Sequence, residues 1–144
     1  MASIGVIGSG TWGTALAVLL HGNGHQVVIW SAIPEEIKEL KETHAHRNLP
    51  EVKIPVAIGF TDDLKEAMED KDLLVLAVPS VFVRDTARRM KAYIRPGQVI
   101  TNVAKGIEEH TLMTLSQIIE QELPEAEVTV LSGPSHAEEE IGRA

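Results

Sequence analysis

Three glycines near the start of the chain, Gly8, Gly10 and Gly13, have the spacing of a loop that can bind phosphate. They follow an apolar run at residues 4–7 and precede a helical pattern. Gly8 permits a tight turn, Gly10 has no Cβ to keep a phosphate away, and Gly13 lets the helix pack closely on the strand. The helix N-terminus then presents free N–H groups to an anion. This context predicts that the loop binds the pyrophosphate of a dinucleotide, NAD or NADP.

Polar residues and glycines also follow the later apolar runs of the chain. Lys105 comes just after one run and is followed by Gly106, while Gly133 and Ser135 follow the last run. A lysine at the carboxyl end of a parallel strand is well placed to meet an anionic or hydroxyl-bearing substrate. A cation beside the reacting oxygen also lowers the barrier to hydride transfer. We therefore expect Lys105 to be catalytic or to hold the substrate, and the sequence does not separate these roles.

The elements that must position these residues alternate between apolar runs and amphipathic segments. This alternation predicts an α/β fold with a doubly wound parallel sheet, since crossovers between parallel strands are right-handed. The expected order of the Rossmann-type sheet is 3-2-1-4-5-6, with helices on both faces and ligands at the carboxyl ends of the strands. The predicted strands are residues 4–7, 26–30, 58–60, 73–78, 99–103 and 128–131, and the predicted helices are residues 13–21, 34–42, 63–68, 81–90 and 112–122.

The composition indicates one globular domain with an acidic surface. Apolar residues make up 44% of the chain, charged residues 24%, and the formal net charge is −8. This charge argues against nucleic acid as a partner. No run approaches the roughly 20 apolar residues of a membrane span, and no signal peptide is evident. The absence of cysteine removes thiolate chemistry and fits a cytoplasmic location. His44 and His46 do not share a helical face, so we expect no metal site.

Several motifs together make the whole chain similar to one enzyme family. It resembles the N-terminal half of the bacterial-type NAD(P)-dependent glycerol-3-phosphate dehydrogenases. The glycine loop alone would fit many dehydrogenases, but its tryptophan and the later motifs make the resemblance specific. The motifs are Gly8-x-Gly10-x-Trp12-Gly13, Asn48-Leu49-Pro50, Ala77-Val78-Pro79-Ser80, Lys105-Gly106-Ile107-Glu108 and Leu131-Ser132-Gly133-Pro134-Ser135.

The resemblance implies an activity and a role for each matching residue. Such enzymes transfer a hydride between NAD(P)H and dihydroxyacetone phosphate, giving sn-glycerol 3-phosphate for glycerophospholipid synthesis. By the same resemblance Thr11 and Trp12 line the cofactor pyrophosphate, and Lys105 touches both cofactor and substrate. The remaining implied contacts are Gly133 and Ser135 with the substrate and Ala137 with the cofactor.

The residues after the second predicted strand bear on the choice between NAD and NADP. An acidic residue there binds the ribose hydroxyls of NAD, and an arginine accepts the 2′-phosphate of NADP. Trp30 is followed by Ser31, Ala32 and Ile33. The family often has a basic residue at or beside Ala32, but this chain has neither that base nor an acid. Both Ser31 and Ala32 are expected to contact the cofactor, and Ser31 is able to hydrogen-bond either form. The family slightly favours NADP, and dual use stays open.

The resemblance also implies a helical second domain that carries an acid–base lysine and most contacts to the substrate phosphate. The chain ends at Ala144, so we expect residues 1–144 to be the cofactor-binding half, with the C-terminal substrate domain absent. Positioning and proton transfer each contribute orders of magnitude to catalysis, so we expect no catalytic competence from this half alone. We further expect a homo-oligomer formed through the apolar surface that the second domain would cover.

Two alternative interpretations stay open. One is the cofactor domain of another dehydrogenase, such as a 6-phosphogluconate or ketopantoate reductase-like enzyme. The other is a stand-alone NAD(P)-binding sensor module, which need not keep a lysine, a glycine and a serine where a substrate would bind. Glycerol 3-phosphate tests the sensor alternative: if it strengthens cofactor binding, part of a substrate site is present, and if it has no effect, the sensor module is favoured.

Overall fold

A six-stranded sheet forms the centre of the molecule. The computed structural model describes residues 1–104 and 106–131. Every pair of neighbouring strands in this sheet is parallel, whereas β3 and β4 form a separate antiparallel pair. In chain order the strands are β1 (Ser3–Ile7), β2 (Gln26–Trp30), β3 (Ala45–His46), β4 (Leu49–Lys53), β5 (Gly59–Thr61), β6 (Leu73–Leu76), β7 (Val99–Asn102) and β8 (Glu127–Val130).

Helices connect the strands of the sheet. Pro34 lies in the first turn of its helix, where its missing N–H leaves no hydrogen bond unmade and its fixed φ suits the helix. A short 3-10 turn at Ser80–Phe82 leads into the fourth helix. The α-helices are α1 (Thr11–Gly22), α2 (Pro34–Thr43), α3 (Leu64–Met68), α4 (Val83–Met90) and α5 (Leu115–Glu122).

The strand order confirms the predicted doubly wound topology. The sheet reads β5-β2-β1-β6-β7-β8. The labels differ from the predicted 3-2-1-4-5-6 only because the unpredicted strands β3 and β4 are counted; the six predicted strands lie in the predicted order. The direction of winding reverses between β1 and β6. In an open parallel sheet this reversal leaves a crevice at the carboxyl ends of the two strands, where ligands bind.

Helices pack on both faces of the sheet, as the sequence predicted. Alternate residues of a strand point to opposite faces, and along β1 the buried Ile4 and Val6 belong to one apolar cluster while Ile7 belongs to another. The first cluster includes Leu16 of α1 and Leu40 of α2. The second is completed by side chains of α3, α4 and α5, which are Leu64, Ala67, Met68, Val83, Ala87, Met90, Leu115, Ile118 and Ile119.

The antiparallel hairpin of β3 and β4 was not predicted. Its strands are short, and β4 contains Pro50, a residue that is depleted in strands, so the segment shows little strand pattern. Its buried residue is Leu49, which packs against Ala15 of α1. The hairpin is therefore fixed by contact with the first helix rather than by its own strand propensity.

The predicted start of the last helix was wrong by three residues. Leu112 has a left-handed φ of 60°, which breaks the helical pattern that its apolar side chain suggested. The helix begins after Thr114, whose hydroxyl accepts a hydrogen bond from the Gln117 N–H at 3.2 Å. The Gln117 side chain in turn accepts from the Thr114 N–H at 2.9 Å, which completes a capping box.

A glycine in β1 allows α3 to lie directly on the sheet. A Cβ built on Gly5 would overlap the backbone carbonyl of Ala67 and come 3.1 Å from a methyl group of Leu74. Because the obstructing atom in α3 is backbone, a larger side chain at position 5 can be accommodated only by moving the helix. Within the described residues, no helix is long and apolar enough to cross a membrane.

We expect Gly5→Ala to lower the free energy of unfolding by about 1–3 kcal/mol, because the added methyl group overpacks the contact with α3. Urea denaturation followed by circular dichroism measures this loss. Gly22→Ala is the matched control, since a Cβ at Gly22 meets nothing within 4 Å. Equal stability of the two variants would contradict the packing role assigned to Gly5.

Candidate functional site

The glycine loop lies against the segment that follows β6. Gly8 has a φ of 133°, and a Cβ there would come 2.7 Å from the backbone carbonyl of Ala77. A Cβ on Gly13 would come 2.7 Å from the Gly8 carbonyl oxygen and 3.1 Å from the Ala77 Cβ. These distances leave no room for a side chain, so both glycines are required by packing. They bring the start of α1 against the carboxyl ends of β1 and β6.

Gly10 differs from the other two glycines because it faces open space. It is the N-cap of α1 with extended backbone, and a Cβ built on it meets nothing within 4 Å. No side chain in the described residues caps this helix, so the N–H groups of its first turn remain free. Free N–H groups and the positive end of the helix dipole favour a bound anion. The space next to Gly10 can therefore accept a phosphate group.

Two cavities meet at Gly10. One has a volume of about 430 Å³ and extends toward the end of β2, and the other has about 330 Å³ and extends toward the end of β7. Both are lined by Gly10, Val78 and Pro79. A third hollow of about 440 Å³ also reaches Gly10, between α2 and the hairpin, but neither Val78 nor Pro79 lines it. A hollow at the opposite end of the sheet, beside His21 and His25, does not reach Gly10. The paired cavities at the reversal point of the sheet form the candidate site.

The first cavity has largely apolar walls. Trp30 is buried at its base, and the indole N–H donates to the Asp62 carbonyl at 3.2 Å. The Arg89 guanidinium lies 5.3 Å from the centroid of the Trp30 ring, in a cation–π contact. Ile33 and Phe82 also line the cavity and are 50% and 56% exposed. Exposed apolar walls of this kind can hold a flat, aromatic group such as a nucleotide base.

A carboxylate at the same cavity was missed by the sequence analysis. Glu36 accepts a hydrogen bond from the Ser31 hydroxyl at 2.7 Å and one from the Ser9 hydroxyl at 3.2 Å. Contrary to the prediction from the sequence, an acidic side chain therefore does lie beside the end of β2. Pro34 starts α2 immediately after the strand, and the first turn of that helix brings Glu36 back beside Ser31. The proline, as a helix-start signal, could have indicated this.

The hairpin of β3 and β4 supports the glycine loop from outside. The His46 Nδ1 accepts a hydrogen bond from the Asn48 N–H at 3.1 Å, so in a neutral ring the proton is on Nε2. The His46 Nε2 lies 2.9 Å from the Ser9 carbonyl oxygen and donates to it. In the described residues no group of three or more potential metal ligands comes together.

The second cavity is formed by three segments that follow different strands. Thr11 and Trp12 line it from the start of α1, Ala77–Ser80 from the end of β6, and Val103 and Ala104 from the end of β7. Trp12 also packs against Leu49 of the hairpin. The sequence analysis expected chemistry just after the strands, and the structure brings these three strand ends together.

An ion-pair cluster holds the loop that follows β7. Arg84 of α4 donates two hydrogen bonds to Glu108, at 2.7 Å and 2.8 Å, and one to Glu122 of α5 at 2.7 Å. Thr111 also donates to Glu108 at 2.7 Å. The hydrogen bonds from Arg84 and Thr111 lower the pKa of Glu108 from 4.5 to about 2. Burial opposes ionisation of Glu122, but hydrogen bonds and charge from Arg84 and Arg88 hold its pKa below the ordinary value. The loop is thus fastened to two helices.

Four predicted site residues lie outside the described part of the chain, which omits position 105 and positions 132–144. They are Lys105, Gly133, Ser135 and Ala137. Their contacts therefore stay predictions. The other predicted residues, Gly8, Gly10, Thr11, Trp12, Ser31 and Ala32, line one or both of the two cavities, and Gly13 packs behind them.

Comparison with known proteins identifies a family that matches nearly the whole chain. Residues 3–143 match the family model described as the N-terminus of NAD-dependent glycerol-3-phosphate dehydrogenase. The chain belongs to this family. The match runs through all the segments that line the two cavities, including the glycine loop, the end of β2, the segment after β6 and the loop after β7.

Curated members of the glycerol-3-phosphate dehydrogenase family are similar along nearly the whole chain. The protein of Agathobacter rectalis named glycerol-3-phosphate dehydrogenase [NAD(P)+] is 55% identical over 144 residues, which cover 99% of this chain and 43% of that protein. One of the same name from Fusobacterium nucleatum is 54% identical, over 96% of this chain and 42% of that protein. The chain therefore spans less than half the length of these relatives.

Solved structures of glycerol-3-phosphate dehydrogenases share the fold. The enzyme of Coxiella burnetii superposes with a TM-score of 0.90 at 30% identity, covering 98% of this chain and 43% of that one. The yeast enzyme superposes with a TM-score of 0.80 at 26% identity over 98% of this chain and 44% of that one. A ketopantoate reductase from Ralstonia eutropha has a lower TM-score of 0.72 at 19% identity, which shows the shared fold alone.

The Arg84–Glu108 pair predicts a pH-dependent contribution to stability. A carboxylate with a lowered pKa stabilises the fold above its unfolded pKa and loses that effect as pH falls through the folded value. We expect Glu108→Gln to lower the unfolding midpoint by a constant amount above pH 4.5, and by a decreasing amount as pH falls to about 2. Urea unfolding at a series of pH values measures the difference.

Glu109→Gln is the control for this series, because it makes the same change of charge on the exposed neighbouring residue. Its effect should be small and should not follow the same pH profile. A Glu108→Gln variant as stable as the unaltered chain at every pH would contradict the role assigned to the ion pair.

Proposed function

We propose that this chain binds NAD or NADP across the two cavities and forms the cofactor-binding part of a glycerol-3-phosphate dehydrogenase. The observation that carries the proposal is that two cavities meet at Gly10, beside the uncapped N-terminus of α1. A dinucleotide consists of two nucleosides joined by a pyrophosphate, and this arrangement offers a place to each of the three parts. The names of the relatives include the same cofactors.

Each part of the cofactor has a proposed set of contacts. The adenosine occupies the cavity beside Trp30, where Ser31 and Ala32 face its ribose, and the pyrophosphate lies on Gly10. The nicotinamide occupies the cavity lined by Thr11 and Trp12. Gly8 and Gly13 contribute by letting the backbone segments approach closely. A contact of the cofactor with Ala137 rests on the family resemblance.

The proposed reaction is that of the relatives, which are more than twice as long as this chain. NAD or NADP, when bound, would supply the hydride chemistry that, together with a proton on the oxygen, interconverts the carbonyl of dihydroxyacetone phosphate and the alcohol of sn-glycerol 3-phosphate. Such a reaction provides the glycerol backbone of phospholipids. Lys105 follows the second cavity in the chain, and its cation is proposed to lie near the substrate oxygen. Gly133 and Ser135 are proposed to contact the same substrate.

Self-association and a cytoplasmic location are further proposals. Among the described residues β8 is the last strand of the sheet, and the apolar side chains of Val130, in β8, and Leu131, just after it, are 58% and 41% exposed. Exposed apolar side chains on a sheet edge favour contact with another chain, whether a second copy or a further domain. Sedimentation velocity over a range of concentrations measures whether the chain forms oligomers.

We expect Gly10→Val to abolish dinucleotide binding while the fold survives. The backbone of Gly10 is extended, which valine tolerates, and its side chain would fill the space proposed for the pyrophosphate. Calorimetric titration with NADH and with NADPH measures the effect, and circular dichroism verifies folding.

Gly22→Val is the matched control, because Gly22 lies at the opposite end of the same helix and also faces open space. This variant should bind like the unaltered chain. Undiminished affinity in a folded Gly10→Val variant would overturn the pyrophosphate assignment.

Lys105→Ala tests the substrate side of the proposal. If the unaltered chain holds part of a substrate site, glycerol 3-phosphate should strengthen its cofactor binding, and Lys105→Ala should remove that effect. Binding of the adenosine half should change little, because its cavity lies on the other side of Gly10. Lys91→Ala, at the end of α4, controls for loss of a positive charge. An unchanged response in Lys105→Ala would remove this lysine from the substrate site.

A further inference from the structure

A negative charge lies where the adenosine ribose would be bound. Glu36 is an exposed residue in the first turn of α2 and lines the cavity beside Trp30. Its Oε2 accepts the hydrogen bonds from Ser31 and Ser9 that were described above, at 2.7 Å and 3.2 Å. These two bonds tie the carboxylate to the end of β2 and to the glycine loop at once. Its position is therefore set by the two elements that border the cavity.

The single proton of the Ser31 hydroxyl is used by this arrangement. It donates its one proton to Glu36 and accepts a hydrogen bond from the Ile33 N–H at 3.1 Å. Ser31 is also 5% exposed, so it cannot turn outward without leaving its pocket. A serine in this state has no proton to offer to a phosphate group. Ser31 therefore orients Glu36, and it does not hydrogen-bond NAD and NADP equally as the sequence suggested.

The second oxygen of the Glu36 carboxylate is free to accept. Both hydrogen bonds in the described structure go to Oε2, and Oε1 receives none from these residues. An ionised carboxylate accepts hydrogen bonds only. A ribose with free 2′- and 3′-hydroxyls supplies the donors that such an oxygen requires. A 2′-phosphate supplies no donor when ionised and adds negative charge beside the carboxylate.

The surrounding charges do not offset Glu36. Two carboxylates, Glu36 and Asp85, and one guanidinium, Arg89, are among the residues that line this cavity. The Arg89 guanidinium lies over the face of Trp30. On the outer side of α2, Glu35 adds negative charge, while the charge of Glu39 is paired with Arg47 at 3.0 Å. The start of α2, whose helix dipole would favour a phosphate, is thus occupied by acidic side chains.

We propose that Glu36 makes this chain select NAD over NADP, by accepting hydrogen bonds from the ribose hydroxyls and repelling the 2′-phosphate. The inference rests on the proposed function, since it assigns a role within the same cofactor site. It narrows a choice that the sequence analysis left open and reverses the slight preference for NADP. Ser31, although it lines the same cavity, acts as a positioning residue, because its hydroxyl donates to the Glu36 carboxylate.

The test is calorimetric titration of the 144-residue chain with NADH and with NADPH, using the unaltered chain, Glu36→Gln and Glu35→Gln. We expect the unaltered chain to bind NADH more tightly, by about fivefold to tenfold at low salt. Glu36→Gln should reduce this ratio to about one, by strengthening the binding of NADPH and weakening that of NADH. Glu35→Gln makes the same change of charge one residue away without a bond to either serine, so it should keep the preference.

Raising the salt concentration gives an independent measurement. Repulsion between exposed charges is screened by salt, so the preference of the unaltered chain should narrow as ionic strength rises. The ratio of the affinities of Glu36→Gln for NADH and NADPH should change much less with salt, because the repelling charge has been removed. A preference that does not respond to salt in either protein would contradict electrostatic selection by Glu36.

The outcomes separate this inference from the proposed function. Failure of a folded, unaltered chain to bind either dinucleotide would overturn the proposed function itself. Binding of both cofactors with equal affinity, or an unchanged ratio in Glu36→Gln, would leave cofactor binding intact and overturn the selection by Glu36. A preference for NADPH that is lost in Arg89→Gln would overturn it too, by assigning the phosphate to Arg89.

Discussion

The close approach of three backbone segments at Gly8, Gly13 and Ala77 is the constraint on which the site depends. A single Cβ at either glycine would meet a carbonyl group at 2.7 Å, so the contact exists only because both side chains are absent. It places the first turn of α1 at the reversal point of the sheet, where the carboxyl ends of β1 and β6 separate. The crevice and the helix N-terminus thus coincide because of one packing requirement, and the anion site follows from it.

Segments away from the glycine loop hold the remaining walls in place. His46 of the hairpin bonds the Ser9 carbonyl, while Arg84 fastens the loop after β7 through Glu108. Ser31 and Ser9 both donate hydrogen bonds to the Glu36 carboxylate and so fix its position. In each case a charged or polar side chain from one element restrains the loop of another. The cavity walls are therefore more ordered than loops of their length would be alone, because each is tied at a second point.

The alternation of apolar runs and helical patterns was sufficient to predict the sheet, its order and the position of the cavities. Continuous apolar runs such as 73–76 identify buried parallel strands, and the glycine spacing identifies the turn after β1. The hairpin was missed because Pro50 and charged neighbours obscure its strand pattern, and Leu49 is buried only through contact with α1. Glu36 was missed because its proximity to Ser31 arises from the turn between β2 and α2. The roles of Lys105, Gly133, Ser135 and Ala137 stay predictions.

The pairing of β1 with β6 has a consequence for the order of events in folding. Ile4 pairs with Val27 on one side, which is close in the chain, and with Leu73 on the other, which is distant. Closing a long loop costs more entropy, and distant contacts form more slowly than local ones. A folding intermediate that contains only β1, α1 and β2 would have its glycine loop but no opposite wall. A ligand that needs both walls can stabilise only molecules that have already joined β1 to β6, so its binding energy favours states that contain this long-range pairing.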